Sequence, residues 1–122
     1  MNYNLYMTET TTDLYSLLEY LGNFLSERNQ TISTAESCTG GWLGKEITGI
    51  RGSSKWFGTG LITYSNSAKV KILGVNKETL LKEGAVSESV VREMVIGAMQ
   101  LGKAEYGICL LYTSPSPRDP TK

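Results

Sequence analysis

An α/β fold, with helices covering both faces of a sheet as an α/β/α sandwich left incomplete at its C-terminal end, is what the order of segments predicts. Three observations carry it. Leu14, Leu17, Leu18, Leu21, Phe24 and Leu25 recur at helical spacing. Thr31 to Ala35 is short and β-branched and runs into a glycine turn. Near the other end, Val91, Met94, Val95, Ala98 and Leu101 form a second stripe ahead of another apolar run.

Taken in order, residues 1–11 read as a flexible leader. The first helix begins at Thr12, a candidate N-cap, and ends near Asn29. Asp13 suits the positive end of its dipole. After the strand 31–35, Glu36-Ser-Cys-Thr-Gly-Gly41 makes a turn and a helix follows from about Gly41 to Thr48. Gly49, Gly52, Ser53 and Ser54 mark a loop. Trp56 to Tyr64 reads as a buried strand, with Gly58 and Gly60 admitting close backbone contact. Ser65 or Asn66 caps a short helix through Leu73, stopped at Gly74. A further short helix spans Lys77 to Lys82. Ser87 caps the long helix, and Glu105 to Leu110 is the last strand. All three prolines lie beyond it, in a 111–122 segment whose composition cannot continue a core strand and reads as disordered or artefactual.

The bulk numbers narrow the function. Lys and Arg total 12 and so do Asp and Glu, giving a formal net charge of zero, unlike the basic excess of a nucleic-acid binder. No apolar run is long enough to span a membrane, and the first residues lack a secretory pattern. Two cysteines do not make a disulfide framework, so a cytoplasmic location is expected. There is no histidine, which removes Ser-His, Cys-His and His-metal chemistry. A hydrolase on this chain takes its base from Lys, Asp, Glu or Tyr. No metal site and no cofactor are expected.

The segment Thr34 to Gly41 is the strongest local signal. It joins a strand to a helix, where N–H groups lack internal partners and the dipole is positive. Gly40 and Gly41 let an anion approach the backbone. Ser37 is a nucleophile or oxyanion partner on one reading and a plain N-cap on the other. Cys38 is an activated thiol or a small buried side chain. A second constellation, Tyr64-Ser-Asn-Ser-Ala-Lys69, lies at a strand exit, where α/β proteins gather ligands. Lys69 is a desolvated base or a solvated helix residue, and Tyr64 a cleft residue or a core-edge aromatic. Glu36, Glu46 and Glu88 are candidate carboxylates, and no spacing pairs them. Trp56 and Phe57 read as core.

In one order, Thr34-Ala-Glu-Ser-Cys-Thr-Gly-Gly41, Gly52-Ser-Ser-Lys-Trp-Phe57, Tyr64-Ser-Asn-Ser-Ala-Lys69, Leu73-Gly-Val75 and Gly84-Ala-Val-Ser87 closely resemble the CinA C-terminal domain family over residues 12 to 110. The resemblance implies an α/β/α sandwich that acts as an amidohydrolase on nicotinamide mononucleotide, as a homo-oligomer without metal or cofactor. It implies Ser37 as the reactive serine and Tyr64 and Lys69 as its assistants. Thr39 and Gly40 would stabilise an oxyanion or hold phosphate, with Glu36, Gly41 and Asn66 also at the substrate. The alternative is a module that holds a nucleotide without chemistry, or an incomplete fold without function. Past Leu110 the chain departs from the family pattern, so impaired activity is expected of it.

Overall fold

The computed structural model describes residues 13–111. The expected leader, the Thr12 cap and the proline-rich segment lie outside them. Helix α1 runs Asp13–Glu27, strand β1 Ile32–Glu36, helix α2 Trp42–Thr48, and strand β2 Phe57–Ile62 after a short 3-10 turn, Ser53–Lys55. Helices α3 (Asn66–Leu73), α4 (Lys77–Glu83) and α5 (Glu88–Gly102) precede strand β3, Tyr106–Leu110. The elements expected from the sequence are present in the expected order, with ends moved by at most two residues.

The sheet has strand order β2-β1-β3, all parallel, with β1 in the middle and buried along its length. Side chains alternate across it. Ile32 joins a core formed with Leu18 and Leu25 of α1 and Leu43 and Ile47 of α2. Ala35 faces the other way, into a core of Leu73, Val75, Val90, Met94 and Ala98 from the segments around α3 and α5. The result is the expected three layers, with α1 and α2 on one face and α3 and α5 on the other. Two close approaches fix the packing. A Cβ at Gly22 would overlap the Trp56 indole, so α1 lies directly on that ring. A Cβ at Gly97 would overlap the Leu73 carbonyl, which brings α5 against the end of α3.

The helix ends follow side-chain chemistry. Ser65 Oγ accepts from Ala68 N–H at 3.0 Å, and Ser87 Oγ from Val90 N–H at 3.3 Å. Gly74 closes α3 with a φ of 73°.

The expected buried strand over Trp56–Tyr64 is corrected. The strand is Phe57–Ile62, and it is an edge whose residues alternate between half-buried and exposed. Trp56 ends the 3-10 turn before it and is buried among α1 residues. Edge status depends on which strands pair, a long-range outcome that local hydrophobicity does not encode. Of the two glycines in the strand, only Gly60 is crowded: Thr34 Oγ1 sits 2.8 Å from where its Cβ would be, while Gly58 has open space.

Candidate functional site

The site grows from the C-terminal end of β1. Glu36 ends the strand and Ser37 follows, held in line by its N–H donating to the Leu110 carbonyl of β3 at 3.3 Å. Because β1 alternates, Glu36 turns toward α2 and Ser37 toward α3. The chain then reverses through Gly40 and Gly41, with φ of 62° and 100°, values that favour glycine.

On its side of the sheet Glu36 organises the turn. Its carboxylate accepts from Thr39 Oγ1 at 2.6 Å, from Leu43 N–H at 2.9 Å and from Gly44 N–H at 2.9 Å. Burial pushes its pKa up, but the hydrogen bonds from Thr39, Gly44, Leu43 and Gly41 outweigh burial and hold it below the usual carboxylate range. The first N–H groups of α2 are therefore satisfied by a side chain of the chain itself. The open anion cradle expected there is corrected: the carboxylate occupies it. A groove of about 210 Å³ opens beside it, between Gly44 and Thr48 of α2 and Gly60 and Ile62 of β2.

On the opposite side, Lys69 reaches back from α3. Its Nζ donates to Ser37 Oγ at 3.2 Å and to the Tyr64 carbonyl at 2.9 Å. The two side chains are 3% and 2% exposed, so their contact is shielded from bulk water. No carboxylate pairs with Lys69 among the described residues. Burial pushes its pKa below the ordinary lysine value, with the Cys38 and Cys109 thiols acting weakly the other way. Burial likewise pushes the Cys109 thiol up to about 11, with Lys69 opposing, so it stays protonated near neutrality. A serine hydroxyl bonded to a desolvated amine is a nucleophile beside a base, the arrangement used in serine–lysine hydrolysis.

The other candidates are dispersed around this pair. Tyr64 contributes its carbonyl, while its side chain is 75% exposed at the rim. Thr39 has its hydroxyl committed to Glu36, and the Gly40 N–H donates to the Ser37 carbonyl at 3.1 Å. Asn66 is exposed in the first turn of α3. Cys38 is half-buried. Glu46 and Glu88 stand apart from the pair, Glu88 in an exposed ion pair with Arg92. Thr63 carries no signal in the sequence. Its hydroxyl is fully buried without a partner among the described residues, beside Ser37 in the sheet, and only strand pairing brings it there.

Among the described residues no helix is long and apolar enough to cross a membrane, and no three His, Cys, Asp or Glu stand together to hold a metal ion.

Comparison with known proteins agrees with this architecture. Nicotinamide-nucleotide amidohydrolase PncC of Escherichia coli K12 is 52% identical over 101 residues, which cover 83% of this chain and 61% of that protein. A CinA-like protein of Kosmotoga olearia is 58% identical over 72 residues, 59% of this chain and 18% of that one. The chain thus spans about three fifths of the length of PncC. Among solved structures, a competence-damaged protein (CinA) superfamily protein from Escherichia coli aligns with a TM-score of 0.85 at 33% identity, over 92% of this chain and 66% of that one. A competence/damage inducible protein from Agrobacterium tumefaciens aligns with a TM-score of 0.83 at 34% identity, over 90% and 67%. The family model of the CinA C-terminal domain matches residues 14–111, so this chain belongs to the CinA C-terminal domain family.

Proposed function

We propose that this chain carries the serine–lysine centre of an amidohydrolase that converts nicotinamide mononucleotide to nicotinic acid mononucleotide and ammonia. The single observation behind it is the buried contact of 3.2 Å between Lys69 Nζ and Ser37 Oγ. The PncC relative, named for nicotinamide-nucleotide amidohydrolysis, supports the choice of substrate.

In this reading Lys69 is neutral before reaction and takes the Ser37 proton. Ser37 Oγ attacks the carboxamide carbon and the resulting oxyanion is met by backbone donors of the turn. The Gly40 N–H is engaged with the Ser37 carbonyl, and the Thr39 N–H is assigned that role. The lysine ammonium returns the proton to the departing nitrogen, and ammonia leaves an acyl-serine. Water, deprotonated by the same amine, attacks the ester. The acid is released, Ser37 regains its proton and Lys69 is neutral again. Tyr64 orients the amine through its carbonyl and offers its exposed ring at the rim to the nucleotide. A cytoplasmic homo-oligomer belongs to the same reading.

One observation favours a second reading, a domain that holds a nucleotide without turning it over: Ser37 is only 3% exposed. A substrate reaches it only when the groups packed around it move. Incubation with nicotinamide mononucleotide separates the two. Ammonia and the acid in equal amounts, lost in Ser37→Ala, support hydrolysis. Thermal stabilisation by the nucleotide without product supports holding.

A further inference from the structure

The Thr63 backbone N–H donates to the Glu36 carbonyl at 2.9 Å. This continues the parallel ladder one step beyond the Glu36–Ile62 pair and sets Thr63 beside Ser37. Paired positions on neighbouring strands, about 4.8 Å apart, project their side chains from the same face. Two residues earlier, the Ala35–Leu61 pair faces the core under α3 and α5. Thr63 and Ser37 therefore share the face that Lys69 enters. The Thr63 hydroxyl is completely buried and has no hydrogen-bond partner among the described residues. The next residue is Tyr64, whose carbonyl already holds Lys69 Nζ.

We propose that Thr63 is a positioning residue of the serine–lysine pair, its hydroxyl accepting the remaining N–H of the Lys69 amine. The proposal rests on the reading of Ser37 and Lys69 given above. A neutral amine has two N–H groups and one lone pair. In the structure Nζ donates to Ser37 Oγ and to the Tyr64 carbonyl and does not bond Thr63 Oγ1; a small shift of the neutral amine that gives its second N–H to Thr63 Oγ1 turns the lone pair to Ser37, ready to take its proton. Without the Thr63 hydroxyl, that N–H stays on Ser37. The same oxygen satisfies a buried N–H and relieves a buried hydroxyl that otherwise costs stability unpaired. The titratable groups facing Lys69 are the Cys38 and Cys109 thiols, while Glu36 lies across the sheet.

The test compares Thr63→Val, Thr63→Ala and Thr63→Ser in the full chain. Valine keeps the shape and removes only the orphan hydroxyl, so folding is expected to survive. In ammonia release, kcat is expected to fall about 10- to 100-fold in the valine and alanine variants with KM within about threefold, and to return in the serine variant. Independently of turnover, the titration of isotopically labelled Lys69 by NMR is expected to move to lower pH in Thr63→Val and Thr63→Ala and to match wild type in Thr63→Ser. Coincident Lys69 titrations in all four proteins overturn the proposal, as does an active wild type matched in kcat by Thr63→Val. A wild type that releases no ammonia but shows the shifted titration overturns the amidohydrolase reading and leaves the positioning role standing.

Discussion

Lys69 Nζ lies 3.2 Å from Ser37 Oγ, and neither side chain is more than 3% exposed. A lysine buried without a carboxylate is costly to keep charged. Burial at the junction of β1 and α2 therefore favours the neutral amine, which meets a hydroxyl and a carbonyl there.

The first prediction concerns pH. The folded-state pKa of Lys69 is lowered, so between that value and the unfolded value the unfolded chain binds the extra proton. Stability contributed by this residue therefore rises with pH through that window and is lost as pH falls below it. Lys69→Met is expected to flatten this part of a melting-temperature profile and to be no less stable than wild type at neutral pH. Ammonia release should rise with pH through the same lowered pKa. A rate independent of pH, or falling across that range, opposes the assignment of Lys69 as base.

Glu36 carries the opposite sign. Its pKa is held down in the folded chain, so its contribution is complete above the unfolded value and disappears as pH falls through the folded one. Glu36→Gln keeps the shape but replaces a charged acceptor of three hydrogen bonds. A loss of about 2–4 kcal/mol in urea unfolding is expected. The acid limb of the stability curve should weaken with it.

Gly97 tests the packing of α5 on α3. A Cβ there meets the Leu73 carbonyl, a backbone atom that cannot move aside cheaply. Gly97→Ala is expected to cost about 1–3 kcal/mol despite alanine's better helix propensity, read from the denaturation midpoint.

Cys109 should be inert. With its pKa pushed up to about 11 by burial, its thiol reacts slowly with iodoacetamide at pH 8 in the native state and quickly in urea. Equal rates in both states would place it outside the core.

The sequence made the layers legible because each helix carries its own stripe and its own stop. Leu18 and Leu25 are buried as their spacing requires, and Ser65, Gly74 and Ser87 sit where the helices begin or end. Ser37 and Lys69 were each visible as residue types at strand exits. Their meeting was not visible in spacing, and resemblance alone paired them. Its place at a strand exit puts Glu36 beside Ser37 in sequence, yet one step of strand alternation turns it to the other face, where α2 folds back over it. Thr63 and the edge position of β2 depend on which strands lie side by side. No local pattern encodes that.

The claim that Lys69 activates Ser37 is tested most directly by mass spectrometry of the chain after exposure to a small serine-reactive fluorophosphonate. One adduct per chain, mapped to Ser37, absent from Ser37→Ala and formed at least about 100-fold more slowly in Lys69→Met, is the predicted result. Labelling elsewhere, or an equal rate in Lys69→Met, contradicts it.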